Sequence, residues 1–167
     1  GPADNVGGPY ALVSRGELAD TVIAFNKAHT QVGIWALEAL RVAQGRARLL
    51  FEVDHKSIPN ELGFLNKAVH MQKGCYRGQE TVAKVSNLGQ PPRKLVLLHL
   101  DGSIVELPEH GTKITIDGKE IGYIGTVARH FELGPIALGV IKRNTPQQAQ
   151  LLAGNVPASI YEEISSK

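Results

Sequence analysis

The dipeptide Pro91-Pro92 constrains this chain more than any other feature, because it separates two incompatible patterns. Consecutive prolines remove two backbone donors and fix φ, so a helix cannot cross them and a strand can only begin beyond them. Beyond them the chain becomes a succession of short apolar runs punctuated by turn residues. Arg93–Leu100 ends at Asp101-Gly102. Lys113–Ile116 and Glu120–Ile124 flank Asp117-Gly118, a dipeptide suited to a two-residue hairpin because both positions accept positive φ. Thr126–Phe131, Ile136–Ile141 and Val156–Tyr161 complete about six strands, a spacing that predicts a small sandwich or barrel.

Before the prolines the periodicity is mixed. Tyr10–Val13 reads as a short strand, and Ser14 with Glu17 forms an S-x-x-E capping box between the staple residues Val13 and Leu18. Leu18, Val22 and Phe25, with Ile23 beside them, make an apolar stripe at helical spacing, which predicts a helix over about Arg15–His29. Gln31–Ile34 reads as a strand and Trp35–Ala43 as a second helix stopped by Gly45. Leu49–Val53 and Ala68–Met71 are further strand candidates, and Tyr76–Val85 is helix-compatible, ending near Asn87 and Gly89. Such a unit is too small to close a core of its own, so the first part is expected to continue a domain whose beginning is absent and to expose an apolar face. Gly1-Pro2 reads as a scar of tag removal.

With 43% hydrophobic and 20% charged residues, the 167-residue chain has globular composition, which excludes disordered and collagen-like classes. No apolar run approaches the ~18 residues of a membrane helix, and the start does not resemble a signal peptide. The net charge of +2 is too small to imply nucleic-acid binding. Its distribution is uneven. Lys67, Lys73, Arg77, Lys84, Arg93 and Lys94 face only Glu80 across residues 66–99, a net of +5 that suits an anionic ligand or a solvated face. The single cysteine, Cys75, cannot form an internal disulfide, which points to the cytosol. The six histidines show no metal-ligand spacing, so no protein-only metal site is expected.

The chemistry concentrates in Lys73-Gly74-Cys75-Tyr76-Arg77-Gly78-Gln79-Glu80. A cysteine reacts as its thiolate, which a helix N-terminus and nearby cations favour. Cys75 is expected at the start of the Tyr76–Val85 helix between Lys73 and Arg77, and so to be a reactive thiol; a buried, inert cysteine is the plainer reading of the residues. Gly74 and Gly78 permit close backbone approach. Arg93-Lys94, opening a strand, reads as edge protection or as a contact for an anionic tail.

The segment Lys73–Glu80 closely resembles the K-G-C-Y-x-G-Q-E signature of the YgfZ family of folate-binding proteins, relatives of the glycine cleavage aminomethyltransferase (T-protein). Leu40-Arg41-Val42 with Gly45, Ile58-Pro59-Asn60-Glu61-Leu62-Gly63 and Val82-Ala83-Lys84 extend the likeness, and Asn87–Arg93 is similar to the actinobacterial branch. The resemblance covers most of residues 35–142. It implies an α+β fold: a partial ferredoxin-like α/β unit at 3–72, the signature helix and Pro-rich linker at 73–92, and a C-terminal antiparallel β-barrel at 93–167. It implies tetrahydrofolate as cofactor, in a site completed by an N-terminal half that this chain lacks. Lys73, Tyr76, Arg77, Gln79, Glu80 and Lys84 become the folate-binding candidates and Cys75 the functional thiol. The partners implied are iron–sulfur proteins or their assembly factors, with no membrane. Two positions depart from the relatives: Ala43 stands where transferases tend to carry an acid, and Lys84 where many carry Arg, which keeps the charge but loses the fork. A folate-dependent aminomethyltransferase and a non-catalytic docking module remain as alternatives, and the sequence leaves open whether the protein is an enzyme.

Overall fold

A computed structural model of the protein describes residues 11–71 and 73–164. Four helices precede the proline pair: α1 (Leu18–Phe25), α2 (Ile34–Ala43), the single turn α3 (Leu65–Ala68) and α4 (Gln79–Leu88), with a 3-10 turn at Pro59–Glu61. Six strands follow it: β1 (Arg93–Leu100), β2 (Lys113–Ile116), β3 (Lys119–His130), β4 (Gly134–Lys142), β5 (Leu151–Ala153) and β6 (Val156–Ile164). They close into an antiparallel barrel in the order β1-β4-β3-β2-β5-β6. The α+β class and the barrel therefore stand as expected from the sequence.

β1 shows why closure is favourable. Val96, Leu98 and Leu100 point into the barrel with Ile114, Ile124 and Ile141, whereas Leu95 and Leu97 point outward onto Ala39 and Val42 of α2 and onto Leu62. A strand covered on both faces reads as a continuous apolar run, and Leu95-Val96-Leu97-Leu98 is one. The first part of the chain thus shares the barrel's outer core.

Several local expectations need correction. Glu120–Ile124 and Thr126–Phe131 are one strand, β3, with a register shift against β4 between Ile124 and Thr126. Gly125 sits at that shift, where an added Cβ would lie 2.6 Å from Glu52 Oε1. The glycine that reads as a break is a bulge. β5 was not expected; at three residues it carries too little periodicity to be seen.

Among the described residues before β1, strand-like pairing is limited to a single bridge, Leu49 to Val53. Tyr10 lies outside the described residues, Ala11–Val13 has no regular secondary structure, Ile34 already opens α2, and Val69–Met71 follows α3 as irregular chain. Without a neighbouring strand these segments have no ladder for their amides and carbonyls, so their β propensity is not realised. The expected capping box is displaced as well. The Ser14 hydroxyl donates to the Glu17 carboxylate at 2.7 Å, but α1 begins only at Leu18 and has no side-chain cap.

Helix α1 buries none of its residues. Leu18, Ile23 and Phe25 are exposed, as are Val32, Ile34, Leu49 and Leu50, and Trp35 is 81% accessible. Most of the exposed large apolar residues fall between residues 12 and 50; after the prolines they are scattered, at Val105, Phe131, Leu152 and Tyr161.

Candidate functional site

The signature spans the approach to α4. Gly78 is its N-cap in the left-handed region at φ 83°, a conformation glycine adopts without strain, and the Gln79 amide bonds back to the Tyr76 carbonyl at 3.2 Å. The helix therefore begins three residues later than the periodicity predicts. Cys75 is exposed and lies three residues ahead of the N-cap, so the direct contact with a helix terminus expected for it is not made. Lys73 and Arg77 are exposed beside it, and the Lys73 ammonium stands 5.7 Å from the centroid of the Tyr76 ring.

These residues wall a cavity of about 490 Å³. It is lined by Lys73, Tyr76, Arg77 and Gly78 with Thr81 and Val82 of α4, by the segment His55–Pro59, and by Ala68–His70. Helix α4, with Val82 buried, packs against the 3-10 turn Pro59–Glu61. The hydroxyl of Tyr76 is buried and has no hydrogen-bond partner among the described residues. The lining thus combines three cations (Lys56, Lys73 and Arg77) with an apolar floor from Ile58, Pro59, Val69 and Val82, and no carboxylate. Cations beside an apolar surface are the chemistry that complements an anionic ligand with an apolar body.

Of the candidate residues, Lys73, Tyr76 and Arg77 meet at this cavity. Gln79, Glu80 and Lys84 lie along α4 outside its lining, and Cys75, ahead of the helix, is not part of the lining either. Sequence reading missed His55, Lys56 and His70. Lys56 falls outside the basic zone, and only folding brings its loop back; the Lys67 side chain lies outside the described residues.

Arg93 and Lys94 are not free edge cations. Arg93 donates to Asp54 at 3.1 Å and to Glu61 at 2.8 Å, and Lys94 is buried, reaching Glu163 at 3.0 Å and the Thr145 carbonyl at 3.2 Å. Neither is available to an anionic tail. Hydrogen bonding from Arg93 is the main cause holding the Asp54 carboxyl well below the usual carboxylate range, against partial burial, which pushes it up.

A second charged cluster joins α2 to the barrel. Glu52 is fully buried and accepts from the Thr126 hydroxyl at 2.5 Å, the Arg48 amide at 2.8 Å and Arg41 at 3.4 Å. Arg41 also reaches Glu38 at 3.1 Å and the Arg46 carbonyl. Among the described residues no group of three or more His, Cys, Asp or Glu side chains is arranged to hold a metal ion, and no helix is long and apolar enough to cross a membrane.

The architecture has a solved counterpart. The fold resembles that of an aminomethyltransferase. The glycine cleavage system aminomethyltransferase T from Bartonella henselae superposes with a TM-score of 0.69 over 89% of this chain at 18% identity. An Arabidopsis thaliana protein named as a candidate chloroplastic transferase is 33% identical over 111 residues, 63% of this chain. The chain spans 42% of the Bartonella structure and 24% of the Arabidopsis protein. No protein-family profile matches the sequence.

Proposed function

We propose that this chain is the folate-facing and barrel portion of a tetrahydrofolate-binding accessory protein of the YgfZ kind, acting in the cytosol on iron–sulfur cluster assembly or repair. One observation carries the reading: the signature builds a cationic, ligand-sized cavity and leaves Cys75 exposed next to it in sequence. Folate fits the donor set. Its glutamate carboxylates suit Lys56, Lys73 and Arg77, its apolar body suits Ile58 and Val82, and the buried Tyr76 hydroxyl offers an unused polar group. The exposed apolar face over residues 12–50 is, on this reading, where the remaining length of the protein packs and completes the site. Iron–sulfur proteins or assembly factors are then the partners reached through Cys75.

The aminomethyltransferase fold supports a second reading, folate-dependent transfer of a one-carbon unit. Ala43, where transferases tend to carry an acid, speaks against it. Two experiments on the full-length protein separate the readings. Calorimetry should show tetrahydrofolate binding, which a pure docking module would lack, and this chain alone should bind more weakly. Cys75→Ala should fail to restore iron–sulfur enzyme activity in a deletion strain, with no methylene transfer to a lipoyl carrier by the unaltered protein. Restoration by Cys75→Ala would sink the accessory role.

A further inference from the structure

Arg93 opens the barrel's first strand, and among the described residues every hydrogen bond of its guanidinium goes to one short segment of chain outside the barrel. Nε donates to Glu61 Oε1 at 3.0 Å, Nη1 to Asp54 Oδ2 at 3.1 Å, and Nη2 to Glu61 Oε2 at 2.8 Å, Asp54 Oδ1 at 3.3 Å and Ser57 Oγ at 3.4 Å. The planar fork spans two carboxylates at once, which a lysine ammonium cannot do with the same geometry.

That segment is ordered around the same carboxylates. Asp54 Oδ1 accepts from the Lys56 amide at 2.9 Å and from the Ser57 hydroxyl at 2.7 Å, and the Asp54 amide donates to Ser57 Oγ at 2.9 Å. Glu61, whose side chain is 1% accessible, takes the Ile58 amide at 3.3 Å. Between Asp54 and Glu61 lie His55–Pro59, one wall of the cavity, while Pro59–Glu61 is the turn on which α4 and the other wall rest. Arg93 does not line the cavity itself.

We propose that Arg93 is the positioning residue of the signature cavity: by holding Asp54 and Glu61 together against β1, it sets the wall that carries Lys56 and the seat of α4. The barrel then acts as the rigid reference from which the ligand site is aligned. This rests on the folate reading for the identity of the ligand, though not for the geometry.

The test compares wild type with Arg93→Lys and Arg93→Met by amide hydrogen exchange resolved along the chain, together with tetrahydrofolate affinity of the full-length protein. Removing the fork exposes the segment to local opening, so exchange over residues 54–61 should rise about tenfold or more in Arg93→Met, while any rise in β3 and β4 stays several-fold smaller. Arg93→Lys retains the charge and should fall between the two. Affinity should weaken in the same order. Unchanged exchange over 54–61, or an equal rise in β3 and β4, overturns the proposal, the latter because Arg93 would then be only a stability residue. Local loosening without loss of affinity overturns it too. If the wild-type protein binds no tetrahydrofolate, the folate reading fails, and the exchange pattern still decides whether Arg93 sets the wall.

Discussion

Replacing Glu52 with Gln tests whether the buried cluster between α2 and the barrel holds the two parts together. Glu52 is fully buried and supplies acceptors to the Thr126 hydroxyl, the Arg48 amide and Arg41. Removing one partner of a buried ion pair ordinarily costs ~3–5 kcal/mol, since a charge is left bare. Here Arg41 keeps Glu38 at 3.1 Å, so its charge stays compensated. Glutamine also keeps the volume and one carbonyl acceptor. The expected loss is therefore nearer ~2 kcal/mol, read as a drop of roughly 4–8 °C in melting temperature for a chain of this size. Glu52→Ala should cost more, about 3–5 kcal/mol, because the Thr126 hydroxyl and the Arg48 amide also lose their acceptor. Urea titration followed by circular dichroism gives both numbers, and the slope should be unchanged if only stability has moved. A Glu52→Gln protein within about 0.5 kcal/mol of wild type would show that the cluster is energetically neutral and that apolar packing alone joins α2 to the barrel.

Asp54 supplies a pH signature. Its carboxyl is held below its ordinary value by Arg93, so it contributes stability above the unfolded value of ~3.9 and loses it as pH falls toward the folded one. Because its side chain is one-third accessible, the gap between wild type and Asp54→Asn should be only about 1 kcal/mol at pH 7, shrinking below about pH 4; a gap that widens in acid would contradict the assignment. Gly125→Ala places a Cβ 2.6 Å from Glu52 Oε1, an atom pinned by Thr126, and should cost about 1–3 kcal/mol in chemical denaturation. In the full-length protein, Lys73→Ala and Arg77→Ala should each weaken tetrahydrofolate binding and flatten its dependence on salt, measured by calorimetry from low to high ionic strength, because both cations line the cavity.

The all-β character of the chain after the prolines was legible in the sequence, as a sandwich or barrel; the closure is set by the strand order β1-β4-β3-β2-β5-β6. Pro91-Pro92 forces a new element, Asp117-Gly118 sets a hairpin whose residues lie at φ 48° and 75°, and the β1 run Arg93–Leu100 ends where its apolar residues end. These signals are local: turn chemistry and side-chain alternation depend on neighbours a few residues away. The signature was legible for the same reason, since Lys73, Tyr76 and Arg77 are close in sequence as well as in space. The remaining features depend on contacts between distant residues. Leu49–Val53 has the composition of a strand, yet among the described residues no strand pairs with it in a ladder, and its Glu52 is instead held by Arg41 and by Thr126 of β3. Arg93 reads as a free cation at a strand edge until folding sets Asp54 and Glu61 against it, 39 and 32 residues earlier in the chain. Lys56 enters the cavity only because that same pairing folds its loop back. Buried charges find their partners across the fold, and no window of neighbouring residues contains that information.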